Sequence, residues 1–104
     1  MSQSNTSHSM HDDQTVILKL TVRNHPGVMS HVIGLFARRA YNVEGILCVP
    51  EHDGLTSQMW LLVHAQEKLD QIVAQTKKLV DVLSITVHAG QLAQFQQLSR
   101  SLSI

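Results

Sequence analysis

The stretch LTVRNHPGVMSHVIGLFARRAYNVEGI, residues 20–46, decides the fold of this chain. It opens on the end of one alternating apolar segment and closes on the start of another, with apolar spacings of three and four between them. Upstream, TVILKLTV (15–22) is β-branched and alternating: Val16, Leu18, Leu20 and Val22 share one face, and Ile17, Lys19 and Thr21 share the other. That period of two predicts a first strand. Over 28–40 the apolar positions Val28, Met29, Val32, Ile33, Leu35, Phe36, Ala37 and Ala40 predict an amphipathic helix. Gly34 falls opposite the apolar stripe, where it costs about 1 kcal/mol relative to alanine. Strand and helix meet at Arg23-Asn24-His25-Pro26-Gly27, and a second asparagine, Asn42, follows the helix.

The remaining segments extend this pattern. YNVEGILCVP (41–50) reads as strand two, stopped by Pro50 and the turn EHDG (51–54); SQMWLLVH (57–64) reads as strand three, with Met59, Leu61 and Val63 on one face and Trp60, Leu62 and His64 on the other. QEKLDQIVAQTKKL (66–79) predicts a second helix with Leu69, Ile72, Val73 and Thr76 inward, and VDVLSITV (80–87) a fourth strand. The order β-α-β-β-α-β predicts an α+β, ferredoxin-like βαββαβ domain over 15–88: a four-stranded antiparallel sheet with both helices on one face, strands one and three central, strands two and four at the edges. The opposite sheet face would be open and would carry Ile17, Trp60 and Leu62. Edge strand two has few charges to prevent pairing with another chain. Residues 1–14 are polar, without a basic or apolar signal region, and are expected to form a disordered leader. In the tail, 89–104, Leu92, Phe95, Leu98 and Leu102 have a weak helical spacing among Gln and Ser, suited to a helix that orders on contact.

With 104 residues the chain has room for a single modest core, and 43% apolar residues supply it. Charged residues are only 15%, and Lys plus Arg equals Asp plus Glu, so the formal net charge is zero. A nucleic-acid partner would call for a basic face; a lightly charged surface instead favours protein contacts, with a homodimer as the first expectation. The single cysteine, Cys48, rules out an internal disulfide and fits a cytoplasmic setting. No apolar run approaches the roughly 18 residues of a membrane span.

The junction has specific chemistry. At a strand-to-helix turn the first helical N–H groups lack partners and, with the helix dipole, favour an anion such as a carboxylate. Gly27 allows close approach to the backbone, Pro26 stiffens the entry without removing a needed donor, and Asn24 offers both an acceptor and a donor. A free α-amino acid needs that combination. Asn42 could complete it if strand two pairs with its copy in a second subunit across a two-fold axis. The simpler alternative leaves Asn24 as a turn cap and Asn42 as a helix stop.

RNHPGV…GLFARRAYNVEGI resembles the loop, helix and strand of an ACT domain, a small regulatory module that binds amino acids. Within that group the chain is similar, over about residues 16–87, to the small regulatory subunits of acetolactate synthase (acetohydroxyacid synthase), in the short single-domain form found with the valine-sensitive isozyme. The resemblance implies a non-catalytic chain with no cofactor of its own. Its partner would be the large catalytic subunit, which would hold thiamine diphosphate, FAD and magnesium and condense pyruvate to acetolactate. The small subunit would raise that activity and confer inhibition by valine. By position, Asn24 and Asn42 match the family's ligand asparagines, and Gly27 and Val28 the backbone donors for the carboxylate. His25 stands where the family varies, and the resemblance gives it no role.

Other chemistry fits less well. Seven histidines are scattered without zinc-motif spacing, so no metal site is expected. Cys48, inside a strand and without a basic neighbourhood, reads as a small apolar residue rather than a nucleophile. Ser30 and His31 are adjacent on a helix and point apart. An RNA-binding domain of the same topology would need aromatics on both central strands, and Trp60 stands alone. A stand-alone sensor or interaction module for another small molecule is the competing reading.

Overall fold

Leu18, Leu20 and Val22 have 0% exposure, and the strand that carries them is the axis of the fold. The computed structural model describes residues 14–102. The leader expected over 1–14 lies outside the described residues except for Gln14, whose carbonyl accepts the Ala65 N–H at 2.9 Å. The elements are β1 (Thr15–Arg23), α1 (Val28–Arg38), β2 (Val43–Pro50), β3 (Thr56–His64), α2 (Leu69–Lys77), β4 (Val82–Ala89) and α3 (Leu92–Leu102). The strands form one antiparallel sheet in the order β2-β3-β1-β4. This is the expected ferredoxin-like arrangement, with β1 and β3 central, plus a third helix.

The alternation of β1 and β3 separates the two sheet faces. Leu18, Leu20 and Val22 join Met59, Leu61 and Val63 beneath the helices, where they meet Val28, Val32, Leu35 and Phe36 of α1 and Ile72 of α2. Thr76, also fully buried on α2, satisfies its hydroxyl by donating to the Ile72 carbonyl at 2.6 Å. Cys48 is half-buried at the margin of this core, and burial pushes its thiol pKa up, as suits an unreactive apolar filler.

α1 ends at Arg38, two residues short of the periodicity, because Ala40 turns left-handed at φ 55°. The Tyr41 N–H donates to the Phe36 carbonyl at 2.9 Å and the Ala40 N–H to the Ala37 carbonyl at 3.0 Å. These are the paired bonds of a Schellman motif. The Phe36 and Tyr41 rings, edge to face at 5.8 Å, supply the apolar contact that accompanies it. The Tyr41 hydroxyl donates to the His64 carbonyl at 2.6 Å, tying the helix end to β3. Beyond it, Val43 pairs with Val63 and Gly45 with Leu62, so Glu44 is an extra residue, a bulge at the start of β2.

The second sheet face is not left open as the sequence suggested. α3 lies across it and lays Phe95 on Ile17 and Leu62, which fall to 8% and 1% exposure. Trp60 and Leu47 are half-buried at the margin of the same cluster. α3 thus packs on the chain's own sheet. Two glycines make room for it. A Cβ on Gly45 would stand 2.7 Å from Phe95, and one on Gly90 would stand 2.5 Å from Ile17. The helix is started by Gln94, whose side-chain oxygen accepts the Gln91 N–H at 2.6 Å, half of a capping box. Among the described residues no helix is long and apolar enough to cross a membrane.

Two stability predictions follow from these contacts. Phe95→Ala should destabilise the chain by about 3 kcal/mol, at the low end of Phe→Ala losses, and should red-shift the emission of Trp60, the only tryptophan. Urea unfolding followed by fluorescence reads both, and an unshifted spectrum would mean that α3 does not cover this face in solution. Ala40→Gly should stabilise by about 0.5–1 kcal/mol, relief of the left-handed penalty exceeding the entropy cost of glycine; a lower thermal midpoint would contradict the assigned cap.

Candidate functional site

β1 stops where its ladder runs out. Arg23 N–H donates to the Asp81 carbonyl at 2.8 Å and Asn24 N–H to the Leu55 carbonyl at 3.0 Å, so the strand end is clasped by the turns before β4 and β3. The chain then reverses through His25 and Pro26 into Gly27, which adopts φ 88°, ψ −11° and serves as the N-cap of α1. Gly27 is set by this backbone angle rather than by crowding, since a Cβ there would meet nothing within 4 Å. No side chain caps α1, and its first turn holds no acidic residue. Its first-turn N–H groups are thus left to external acceptors, apart from a long 3.4 Å bond from Val28 N–H to the His25 carbonyl. The Val28 side chain is buried in the core, so only its backbone can serve a ligand.

Asn24 is exposed, and its Nδ2 donates to the Gly54 carbonyl at 3.1 Å. That bond uses one of the two amide N–H groups, and among the described residues the side-chain oxygen, an acceptor suited to an ammonium, has no hydrogen-bond partner. Asn24, Gly27 and Val28 thus lie together at the start of α1.

Asn42 stands elsewhere. It precedes Val43, which pairs with Val63 next to the Thr15–His64 end of the sheet, whereas Asn24 follows Arg23 at the Thr56 end. At about 3.3 Å per residue the two asparagines are roughly 25–30 Å apart in one chain. The Asn42 amide donates to the carboxylate of the bulged Glu44, which also stands 3.5 Å from His64 Nε2. Asn42 sits in an open groove of about 480 Å³ between the α1 end and edge strand β2, with Ile33, Ala37, Tyr41 and Ile46 along its walls. The polar half and the apolar half of the candidate site thus lie at opposite ends of the sheet. A slightly larger cavity, about 560 Å³, opens under the start of α3 between Glu44, His64 and Leu92, away from the helix start.

Sequence reasoning missed one ionic cluster. His25 Nε2 lies 2.6 Å from Asp81 Oδ1, and His31 Nδ1 on α1 lies 3.7 Å from Asp81 Oδ2. The other His25 ring nitrogen, Nδ1, is 2.8 Å from the Pro26 carbonyl. The Asp81 contact, aided by that carbonyl, raises the His25 pKa, and His25 in turn holds the Asp81 carboxyl below its usual range. The signal was an aspartate just before a strand that borders the loop. Only the topology makes it a neighbour of His25, 56 positions away by their numbering. Among the described residues no three metal-ligating groups cluster closely enough to hold an ion.

Residues 18–84 match the family described as the AHAS small subunit-like ACT domain. The small subunit of acetolactate synthase isozyme 1 of Escherichia coli K12 is 50% identical over 95 residues, covering 91% of this chain and 94% of that one. The isozyme 3 small subunit of the same organism is 42% identical over 71 residues, 67% of this chain and 44% of that one. The crystal structure of the acetolactate synthase small subunit of Thermotoga maritima superposes with a TM-score of 0.64 at 33% identity, covering 71% of this chain and 47% of that one. With its fold, its helix-start loop and two-thirds of its length aligned on them, this chain belongs to the acetolactate synthase small-subunit family.

Proposed function

We propose that this chain is the regulatory partner of a catalytic acetolactate synthase subunit and carries the receptor for feedback inhibition by valine. The observation that supports this reading most directly is the uncapped start of α1, with Asn24 beside it, in a chain 50% identical to an isozyme 1 small subunit. The valine carboxylate would take the Gly27 and Val28 N–H groups, and its ammonium the Asn24 side-chain oxygen. Thiamine diphosphate, FAD and magnesium would belong to the large subunit, where the carbon–carbon bond is made.

The separation of Asn24 from Asn42 favours a two-chain receptor. β2 is an edge strand with Ile46 exposed. Antiparallel pairing of two β2 strands about a two-fold axis sets the Asn42 end of one chain against the Pro50 end of the other. Pro50 pairs with Ser57 on β3, next to Arg23–Thr56, so that end also carries the helix-start loop. The groove beside Asn42 then offers apolar walls for an isopropyl group, which one chain's loop lacks. Valine has about eight non-hydrogen atoms, and the best small ligands gain at most about 1.5 kcal/mol per atom, so a few well-placed anchors carry the affinity. Regulation requires only about 1–3 kcal/mol of preference for the inhibited state.

Calorimetry with valine, leucine, isoleucine and serine, followed by reconstitution with the catalytic subunit, tests the reading. Valine should give the strongest heat and should inhibit the reconstituted enzyme; equal heats for all four, or none, would favour a sensor of another ligand. Asn24→Ala removes the ammonium acceptor, and Gly27→Asp places a carboxylate where the ligand's would sit. Both should keep the native circular dichroism spectrum and lose valine inhibition by tenfold or more, equivalent to about 1.4 kcal/mol. Inhibition retained in both variants would reject the site.

A further inference from the structure

We infer that His25, as an imidazolium anchored on Asp81, is a positioning residue that sets the helix-start loop in its ligand-receiving shape and makes effector affinity depend on pH. The inference rests on the proposed effector site and adds residues to it that contact the loop rather than the ligand.

Geometry carries it. Both ring nitrogens of His25 face oxygen acceptors, the Pro26 carbonyl at 2.8 Å and the Asp81 carboxylate at 2.6 Å. A neutral imidazole carries one N–H and satisfies one of them; only the doubly protonated ring donates to both. The Pro26 carbonyl belongs to the peptide that leads into Gly27, so this bond holds the turn from which the first helical N–H groups emerge. Asp81 is a firm anchor. Its side chain is 10% exposed against 42% for His25, and its own carbonyl accepts the Arg23 N–H at 2.8 Å. One residue thus clamps both the end of β1 and the loop that follows.

The surrounding charges decide the direction. Arg23 on β1 opposes protonation of His25, and Asp81 favours it. His31 on α1 approaches the second Asp81 oxygen at 3.7 Å and shares the same carboxylate. The charges of the β2–β3 turn are occupied within it: Asp53 accepts the Leu55 N–H at 2.9 Å, and Glu51 accepts from Thr56 and Gln58. The His25 pKa is raised from 6.5, so the clamp is complete below that pH and is lost as pH rises through the raised value. The Asp81 pKa is lowered from 3.8, so its share is complete above that pH and fails only in stronger acid. The loop is therefore fastened from about pH 4 up to the raised His25 pKa and loosens as pH passes it. A cationic ring beside the loop also favours a carboxylate ligand, so both effects tighten effector binding toward the acid side.

Two measurements on the full chain test this. Without effector, ¹⁵N-imidazole NMR should show His25 titrating above 6.5, with the backbone amides of Asn24, His25, Gly27 and Val28 following the same midpoint. In Asp81→Asn that midpoint should fall to about 6.5 or below, and in His25→Gln the amides should stop titrating in this range. With valine, the dissociation constant of the wild type should rise about fivefold from pH 6.0 to 8.5, at the lower end of ordinary couplings. Both variants should flatten that dependence, and since valine itself titrates identically in all three titrations, the difference belongs to the protein. An unchanged His25 midpoint in Asp81→Asn, or loop amides that do not follow the ring, overturns the inference. So does a wild-type affinity independent of pH. No valine heat at any pH would instead overturn the proposed effector, and the ring and amide titrations would still decide whether His25 and Asp81 position the loop.

Discussion

The burial of one face of β1 is the constraint on which the other elements depend. Leu18, Leu20 and Val22 leave water completely, each contributing about 1.5–3 kcal/mol of transfer free energy. Because side chains alternate with a period of two, a slip of one residue would turn all three to the opposite face. The register with β3 and β4 is fixed by this, and with it the point at which β1 runs out of partners. The helix-start loop sits where it does because the strand before it cannot slide. Asn24–Gly27 are exposed and lie outside the strand ladder, so they can present groups to solvent without disturbing the scaffold.

The same rigidity keeps the two ends of the sheet apart within one chain. A nine-residue strand separates the helix-start loop from the Asn42 groove, and no rotamer change spans roughly 25–30 Å. Either the groove and the loop serve different ligands, or two chains share them. The sheet order suits the sharing proposed above. β2 is an edge strand, its exposed Ile46 lies on the groove wall, and the bulge at Glu44 leaves its first residues out of regular pairing. α3 meanwhile covers the broad sheet face with Phe95.

The sequence and the structure agree where periodicity is strong. Two alternating strands and an eight-position apolar stripe were enough to place β1, β3 and α1 and the loop between β1 and α1. The end of α1 was illegible because nothing in ARRAYN announces that an alanine rather than a glycine takes the left-handed position; the Phe36–Tyr41 contact that sustains it is tertiary. The covering helix α3 was legible only as weak spacing, since its stability comes from Phe95 seated against Gly45, Ile17 and Leu62, three residues far away in the chain. The loop residues Asn24 and Gly27 could be nominated from local chemistry. The Asp81 anchor could not, because a lone aspartate before a strand has no local signature and acquires meaning only when β4 is laid beside β1.

α1 is a rod of 11 residues, about 16 Å long at 1.5 Å per residue, whose core stripe is seated on the sheet. Each end is a left-handed residue, Gly27 at φ 88° and Ala40 at φ 55°. The first end presents the uncapped N–H groups of the helix start, and the second orients Tyr41 and the groove at Asn42. If two chains share each receptor as proposed, every ligand touches the start of one α1 and the end of the other, and each α1 touches both ligands. A small shift of the rod when one site closes is then felt at the second site without any change in the sheet. Packed helices move as units and resist bending, so such a shift passes to the partner chain, whose catalytic subunit would sense the change.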